Sequence, residues 1–315
     1  MTANVDSLPD IPVETAGGKT SSLGRDTLVN ILRQRSAIAG IFILAILVFV
    51  AIFADLVATH PPKQSMLDSG EVGVRRGQPP CVHLLGCAAD EPQHLMGLDS
   101  NLRDEFSRVV HGSRISLMVG IVTVGFAIMI GMILGAVAGF IGGWVDNVIM
   151  RLLDVVLAFP ALILAIAIVT VVGSGLYQAM LAIGVVSIPV YARVMRAAVL
   201  SVREADFVTA SRAMGESSVG ILTRRILPNA LTPLIVAGTL GIGGAIVEVA
   251  ALSFLGLGAQ QPEAEWGSMI GFDYNLFFSA PHLIFFAGLA ITLTVLGFNL
   301  VGDGVRDALD PRLNR

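Results

Sequence analysis

The chain has 315 residues, of which 54% are hydrophobic and only 14% are charged, and its formal net charge is −4. A water-soluble protein of this composition could not cover its surface with polar side chains, so an integral membrane protein is expected. The slightly acidic balance argues against a nucleic-acid-binding protein, which needs a basic surface.

The first 35 residues are polar, and we predict a cytoplasmic tail over residues 1–35. Positive residues favour the cytoplasmic side, and four lysines and arginines precede the first apolar run, which is predicted to be a transmembrane helix at residues 36–59. Within the tail, Gly18-Lys19-Thr20 looks like the end of a phosphate-binding loop. Val13 occupies the position of the first glycine of such a loop, so we expect this chain to bind no nucleotide cofactor itself.

Residues 60–111 form the longest polar loop and are predicted to be external. Both cysteines of the chain, Cys81 and Cys87, lie in it. In an oxidising compartment this spacing favours a small disulfide loop. A metal site with His83 and His94 is the alternative, but the spacing matches no standard zinc pattern, so we predict the disulfide and no metal.

Five further spans are predicted within residues 112–303, at about 115–141, 148–172, 176–199, 230–255 and 281–301, followed by a cytoplasmic tail at 304–315. The span at 148–172 contains Pro160. The span at 115–141 carries Gly131, Gly135 and Gly139 at four-residue spacing, which predicts close approach of another helix.

Glu248 lies deep in the predicted span at 230–255. A carboxylate there is costly and must face protein, a partner or water. One interpretation is a substrate pathway residue, and the other is a hydrogen-bonded residue between helices. Ser253, near the end of the same span, is a second candidate for the pathway.

The polar segment at residues 200–228 is rich in arginine and lies between two spans, so it is predicted to be a cytoplasmic loop. Within it, Phe207, Ala210 and Met214 recur at helical spacing, which indicates a helix with a small apolar face. Such a loop either is an ordinary solvated connection or docks onto a partner.

Residues after this helix predict its end and a second short helix. Gly215 is expected to break the first helix, and Ser217 or Ser218 can cap another at about residues 219–226. Pro228 is expected to end the segment.

Six spans would place both termini and the 200–228 loop on one side of the membrane. Fourteen of the twenty lysines and arginines then lie on that side. The excess supports a cytoplasmic location for both termini.

Several motifs resemble one family. Thr209-Ala210-Ser211, Gly215 and Leu227-Pro228 resemble the cytoplasmic EAA loop of ABC importer permeases, although Thr209 replaces its glutamate. The stretch from Gly97 to Arg108 resembles a motif of the dipeptide and oligopeptide branch, with Leu102 in place of a glycine. The stretches 252–258 and 302–311 are also similar to that branch.

The resemblance is strongest to the C-type permeases of dipeptide transporters, and it implies an all-α membrane protein with six transmembrane helices, the type I ABC importer permease fold. It implies a multi-pass protein of the cell membrane that is not itself an enzyme. The implied partners are a second homologous permease, two cytoplasmic ATP-binding subunits that hold ATP and Mg, an external substrate-binding protein, a peptide substrate and membrane lipid, with no nucleic acid.

The resemblance further implies that the 200–228 loop contacts an ATPase subunit. The residues expected to do so are Phe207, Thr209, Ala210, Ser211, Arg212, Ala213, Met214, Gly215, Glu216, Leu227 and Pro228. Ala210, Ala213 and Met214 would form the packed face, while Arg212 and Glu216 would set the polar register.

Two other functions stay open from the sequence. Permeases for longer peptides or nickel share these motifs. A proton-coupled secondary transporter could instead use Glu248 and Asp55, and it would not depend on the 200–228 loop.

Overall fold

The computed structural model describes residues 34–88 and 91–309, so most of the predicted N-terminal tail and residues 310–315 lie outside the described part. The described residues are helical, with two isolated β-bridges and no strand. The helices are α1 (Arg35–Ile52), α2 (Ala54–Val57), α3 (Glu105–Ile141), α4 (Gly143–Leu157), α5 (Ala161–Val172), α6 (Leu176–Arg203), α7 (Asp206–Ala213), α8 (Ser218–Phe254), α9 (Trp266–Asp273) and α10 (Pro281–Leu309). Short 3-10 turns occur at His83–Leu85 and Tyr274–Leu276.

Within residues 34–88 and 91–309, five helices are long and apolar enough to cross a membrane: α1, α3, α6, α8 and α10. The bent pair α4 and α5 makes the sixth span, which confirms the prediction of a six-span helical membrane protein. The prediction of one continuous third helix at 148–172 is wrong, because α4 and α5 meet at an angle of 88°. Pro160 precedes α5 directly, and proline disfavours a helical conformation at the residue before it.

Three helix boundaries in the structure also differ from the predicted ones. The first helix ends at Ile52 and is followed by the short α2, before the predicted limit at 59. Helix α3 begins at Glu105, inside the predicted external loop, because the Asp104 carboxylate accepts a hydrogen bond from the Ser107 amide and caps the helix. Helix α10 continues to Leu309, past the predicted limit at 303.

The core of the bundle is the contact between α3 and α6. A Cβ atom on Gly135 would lie 2.2 Å from the carbonyl oxygen of Ala192, so only glycine permits this approach. Gly131 and Gly139 face the same helix, next to Ile188 and Val199. The predicted close packing of the glycine face is confirmed, and its partner is α6.

Helix α3 also determines where the polar regions lie. Its 37 residues give a length of about 55 Å at the usual rise per residue. Its N-terminus is attached to the polar segment that precedes it, while its C-terminus lies beside the end of α6. The 60–104 segment and the 200–228 loop are therefore at opposite ends of the bundle.

Candidate functional site

The 200–228 loop starts from a fixed point at the end of α6. Arg203 Nη1 donates hydrogen bonds to the carbonyl oxygens of Gly139 at 3.0 Å and Phe140 at 3.3 Å. These oxygens are in the last turn of α3, where carbonyls have no partner within the helix. Arg196 of α6 adds a two-pronged contact to Asp146 of α4, with both nitrogen–oxygen distances at 2.5 Å.

One side of α7 anchors the loop to the bundle. Val208 is fully buried and belongs to the same apolar cluster as Ile221 and Ile226 of α8. Ser211 is 3% exposed, and its hydroxyl donates to the Phe207 carbonyl oxygen at 2.9 Å. The Ser211 side chain thus faces its own bundle, and its contact with a partner stays a prediction.

The other side of α7 is uncovered and largely apolar. Phe207 is 45% exposed and Met214 is 76% exposed, and Ala210 and Ala213 are exposed beside them. The exposed polar residues of this helix include Thr209 and Arg212.

The turn after α7 has the predicted break and cap. Gly215 has a φ of +81°, which favours glycine, and the Ser217 hydroxyl accepts a hydrogen bond from the Gly220 amide at 3.2 Å. Glu216 Oε2 accepts from Arg225 Nε at 3.0 Å. Glu216 therefore closes the turn within this chain.

The prediction that Pro228 ends the segment is wrong. Residues Ile221–Ile226 form a π-helical stretch that leads without interruption into the long α-helical part of α8, Leu227–Phe254. Proline has no amide hydrogen to donate, and it is tolerated in the first turn of an α-helix, where Pro228 stands exposed. Leu227 is partly buried beside it. The loop is thus mechanically continuous with a membrane span.

The two pathway candidates have different surroundings. Glu248 is partly buried in α8. Ser253 is 3% exposed, and its hydroxyl oxygen accepts from the Ala259 amide at 3.1 Å. Ser253 therefore supports the loop after α8, and a role for either residue in the substrate pathway stays a prediction.

At the opposite end, the polar segment contains a disulfide between Cys81 and Cys87, with a Cα–Cα distance of 5.4 Å. The Cys81 amide donates to the His94 carbonyl oxygen at 2.9 Å. The disulfide loop is thereby attached to the segment around His94, which leads to α3.

Buried charges fasten this polar segment to the bundle. Asp99 Oδ2 accepts from Arg103 Nε at 2.7 Å and lies 3.5 Å from Arg108 Nε. Arg108, only 1% exposed, also donates to the carbonyl oxygens of Pro62 at 3.0 Å and Pro262 at 3.2 Å. Three distant parts of the chain meet there, which explains physically why the motif from Gly97 to Arg108 carries this set of charges.

Among the acidic groups in this region, Glu265 and Asp273 have pKa values above the usual range. Burial raises the pKa of Glu265, although its carboxylate caps α9 by accepting from the Ser268 and Gly267 amides. Burial also raises the pKa of Asp273, despite hydrogen bonds from Ser100. Both groups are structural supports of the polar end.

The sequence alone did not indicate the anchors Arg203 and Val208. The sequence pattern used was Phe207, Ala210 and Met214, which form the exposed face. Val208 and Ser211 are three residues apart and lie on the opposite face of the helix. That second repeat was available as a signal.

The model for the family described as "Binding-protein-dependent transport system inner membrane component" matches residues 127–315, which is more than half of the chain. The chain belongs to this family. A second model, the "N-terminal TM domain of oligopeptide transport permease C", matches residues 22–80. The family and the described spans make the chain a multi-pass inner-membrane permease component, and the family is one of transport components rather than enzymes.

Individual relatives agree with this assignment. The chain is 42% identical to the dipeptide transport system permease protein DppC of Alkalihalophilus pseudofirmus, over 92% of this chain and 90% of that protein. It is 47% identical to the glutathione transport system permease protein GsiD of Pectobacterium atrosepticum, over 70% and 73% of the two chains. A solved chain of the MetNI methionine ABC transporter, in an inward-facing conformation, is similar with a TM-score of 0.53 and 23% identity, covering 65% of this permease and 98% of that chain. This last likeness shows the shared fold alone.

Proposed function

We propose that this permease forms half of the translocation pathway of an ATP-driven importer of short peptides, with dipeptides as the substrate class. Its partners are a second homologous permease, two cytoplasmic ATPase subunits that hold ATP and Mg, and an external substrate-binding protein. The observation that carries the proposal is the asymmetric burial of α7.

Helix α7 has the properties of a docking element. Its buried side, Val208 and Ser211, fixes it to the bundle, while Phe207 and Met214 present uncovered apolar surface in an otherwise polar loop. Exposed apolar patches with polar surroundings are typical of interaction sites. Ala210 and Ala213 between them leave room for close approach of a partner, and the exposed Arg212 would add a polar contact.

The path from this surface to the membrane is short. The turn at Gly215 is closed by the contact between Glu216 and Arg225, and Arg225 lies in the π-helical stretch that continues into α8. A push on α7 would thus reach a span directly. This is the arrangement expected of an element that couples ATP binding to a change between inward-open and outward-open states.

The broken third span supports a second membrane partner. Residues 158–160, between α4 and α5, are exposed, and so are the flanking Val155 and Ile163. Irregular backbone at membrane depth is tolerated only where it is covered by protein or lines a water-filled cavity. A neighbouring permease, with the pathway between the two, satisfies that requirement.

The substrate class rests on the relatives. The two proteins named above transport a dipeptide and glutathione by their names, and glutathione is itself a short peptide. Longer peptides and nickel are the competing substrates within the same proposal, and the partner binding protein would select among them.

The test is reconstitution of the complete complex in liposomes, with dipeptide-stimulated ATPase activity and dipeptide uptake as readouts. Met214→Glu places a charge on the apolar face and is expected to lower both activities at least tenfold. Val72→Glu, at a residue 88% exposed at the opposite end, is the matched control and should change neither. ATP-independent uptake driven by a proton gradient, with no effect of Met214→Glu, would overturn the proposal in favour of a secondary transporter.

A further inference from the structure

A second cluster of chemically active side chains lies at the polar end of the bundle, away from α7. Ligand atoms of His60, His94 and Asp104 all lie within 4.8 Å of one another. His94 and Asp104 are fully buried, whereas His60 is about a quarter exposed. From this geometry we propose that these three residues form a binding site for one divalent transition metal ion, with Zn²⁺ as the best fit.

The two imidazole rings have the same orientation relative to the two neighbouring carboxylates. The Nδ1 atoms face Asp104 Oδ1, at 3.0 Å from His94 and 3.8 Å from His60. The Nε2 atoms face Glu71, at 3.1 Å from His94 and 3.6 Å from His60. Both Nδ1 atoms therefore lie near one oxygen of Asp104, and a second carboxylate lies near the opposite nitrogens.

The spacing and chemistry fit zinc. Ligand atoms about 2.0–2.1 Å from a tetrahedral zinc ion lie roughly 3.3 Å apart, between the two nitrogen–oxygen distances found here. Two imidazoles and one carboxylate, with water at the fourth position, are a ligand set that zinc uses. Imidazole ligands also suit nickel and copper, so the proposal concerns this class of ions.

Glu71 is placed as the supporting carboxylate of such a site. A histidine that binds a metal through one nitrogen commonly donates its other N–H to a carboxylate, which sets the tautomer. Glu71 accepts from the Nε2 side of His94 and approaches that of His60 with its other oxygen. One glutamate would thus orient both imidazole ligands.

Asp104 is oriented from the helix side. Its Oδ2 atom accepts from the Ser107 amide at 2.9 Å and the Ser107 hydroxyl at 2.6 Å, while Thr59 donates to it at 3.2 Å. These bonds leave Oδ1 to the two imidazoles. Thr59 also lies 3.0 Å from His60 Nδ1, and an incoming ion would replace this contact.

An entry path is present. An open cavity reaches His60 from solvent and is lined by Asp55, Thr59 and His111. The other cluster of metal-ligating groups in the described part of the chain contains Cys81 and Cys87, which are bonded to each other and supply no thiolate. The bound ion would clip the segment after α2 and the segment around His94 to the first turn of α3.

The experiment uses the full chain in its purified complex, produced without a polyhistidine tag, stripped with chelator and titrated with Zn²⁺ alone. Calorimetry and elemental analysis should give one ion per chain, and X-ray absorption should show imidazole nitrogen without sulfur. His60→Ala should abolish this binding, and Glu71→Gln should weaken it 10- to 100-fold.

His83→Ala is the matched control, because His83 is an exposed histidine of the same segment and its expected stoichiometry stays at one. His60 is only partly buried, so its variant is expected to fold and to leave the elution profile of the complex unchanged. Absence of binding to the unaltered chain, retention of zinc by His60→Ala, or sulfur ligation would each overturn the proposal. None of these outcomes depends on transport activity.

Discussion

Leu102 has a φ of +61°, a conformation in which a side chain is normally unfavourable, at the position where the family motif has glycine. The left-handed region costs a residue with a Cβ about 1–2 kcal/mol. The side chain is 9% exposed and packs with Met66 and Leu98, so burial offsets that cost. The motif tolerates leucine here because the polar segment has built a small apolar core around it.

This balance predicts that replacing Leu102 with glycine destabilises the protein less than replacing it with alanine does. Leu102→Ala loses the packing and keeps the unfavourable backbone, so it should destabilise by about 2–4 kcal/mol. Leu102→Gly loses the same packing but relieves the backbone, so it should be less destabilising by about 1 kcal/mol. Denaturation midpoints of the purified complex compare the two, and a glycine variant less stable than the alanine variant would contradict the strain argument.

At the level of elements, the two faces of α7 should separate stability from coupling. Val208→Ala removes buried methyl groups and should destabilise the permease by about 2 kcal/mol. Phe207→Ala removes an exposed ring and should leave the melting temperature unchanged while lowering dipeptide-stimulated ATPase activity several-fold. Thermal unfolding of the permease separated from its ATPase subunits and ATPase assays of the complete complex test both, and unchanged ATPase activity in Phe207→Ala would mean that the exposed face is not a docking surface.

The contact between α3 and α6 can be tested with two glycines of one helix. Gly135→Ala brings a Cβ against the Ala192 carbonyl and should separate the helices, with a cost of about 1–3 kcal/mol for overpacking. Gly125→Ala is the matched control, because nothing lies within 4 Å of its added Cβ. Equal melting temperatures for the two variants would show that α3 and α6 do not approach this closely in the membrane.

For the whole molecule, the excess of positive residues predicts which end faces the cytoplasm. In a background with Cys81→Ser and Cys87→Ser, Leu84→Cys should react with a membrane-impermeant maleimide in intact cells, because Leu84 is 93% exposed on the predicted external side. Met214→Cys, 76% exposed at the other end, should react only after permeabilisation. The opposite labelling pattern would invert the predicted topology.

Properties carried by one stretch of chain were predictable from the sequence. Apolar length was enough for the six spans, and the spacing of Gly131, Gly135 and Gly139 was enough for a close helix contact. The break at Gly215 and the cap at Ser217 followed from local backbone preferences in the same way.

Properties that depend on distant residues were not predictable. Pro160 was visible, but the 88° angle between α4 and α5 is set by their neighbours. The metal interpretation paired His94 with nearby residues of its own loop, whereas the fold places it beside His60, which is 34 residues away. Arg108 likewise meets Pro62 and Pro262 only in the folded chain.

Helix α3 is one uninterrupted helix that is held at both ends, so a tilt at one end moves the other. Asp104 contacts His94 of the polar segment at one end, and Arg203 donates hydrogen bonds to the carbonyls at the other end, beside α7. A rod of about 55 Å that pivots by 10° about its middle displaces each tip by roughly 5 Å, in opposite directions. A small tilt produced where α7 is pushed would therefore act as a lever on the far side of the membrane.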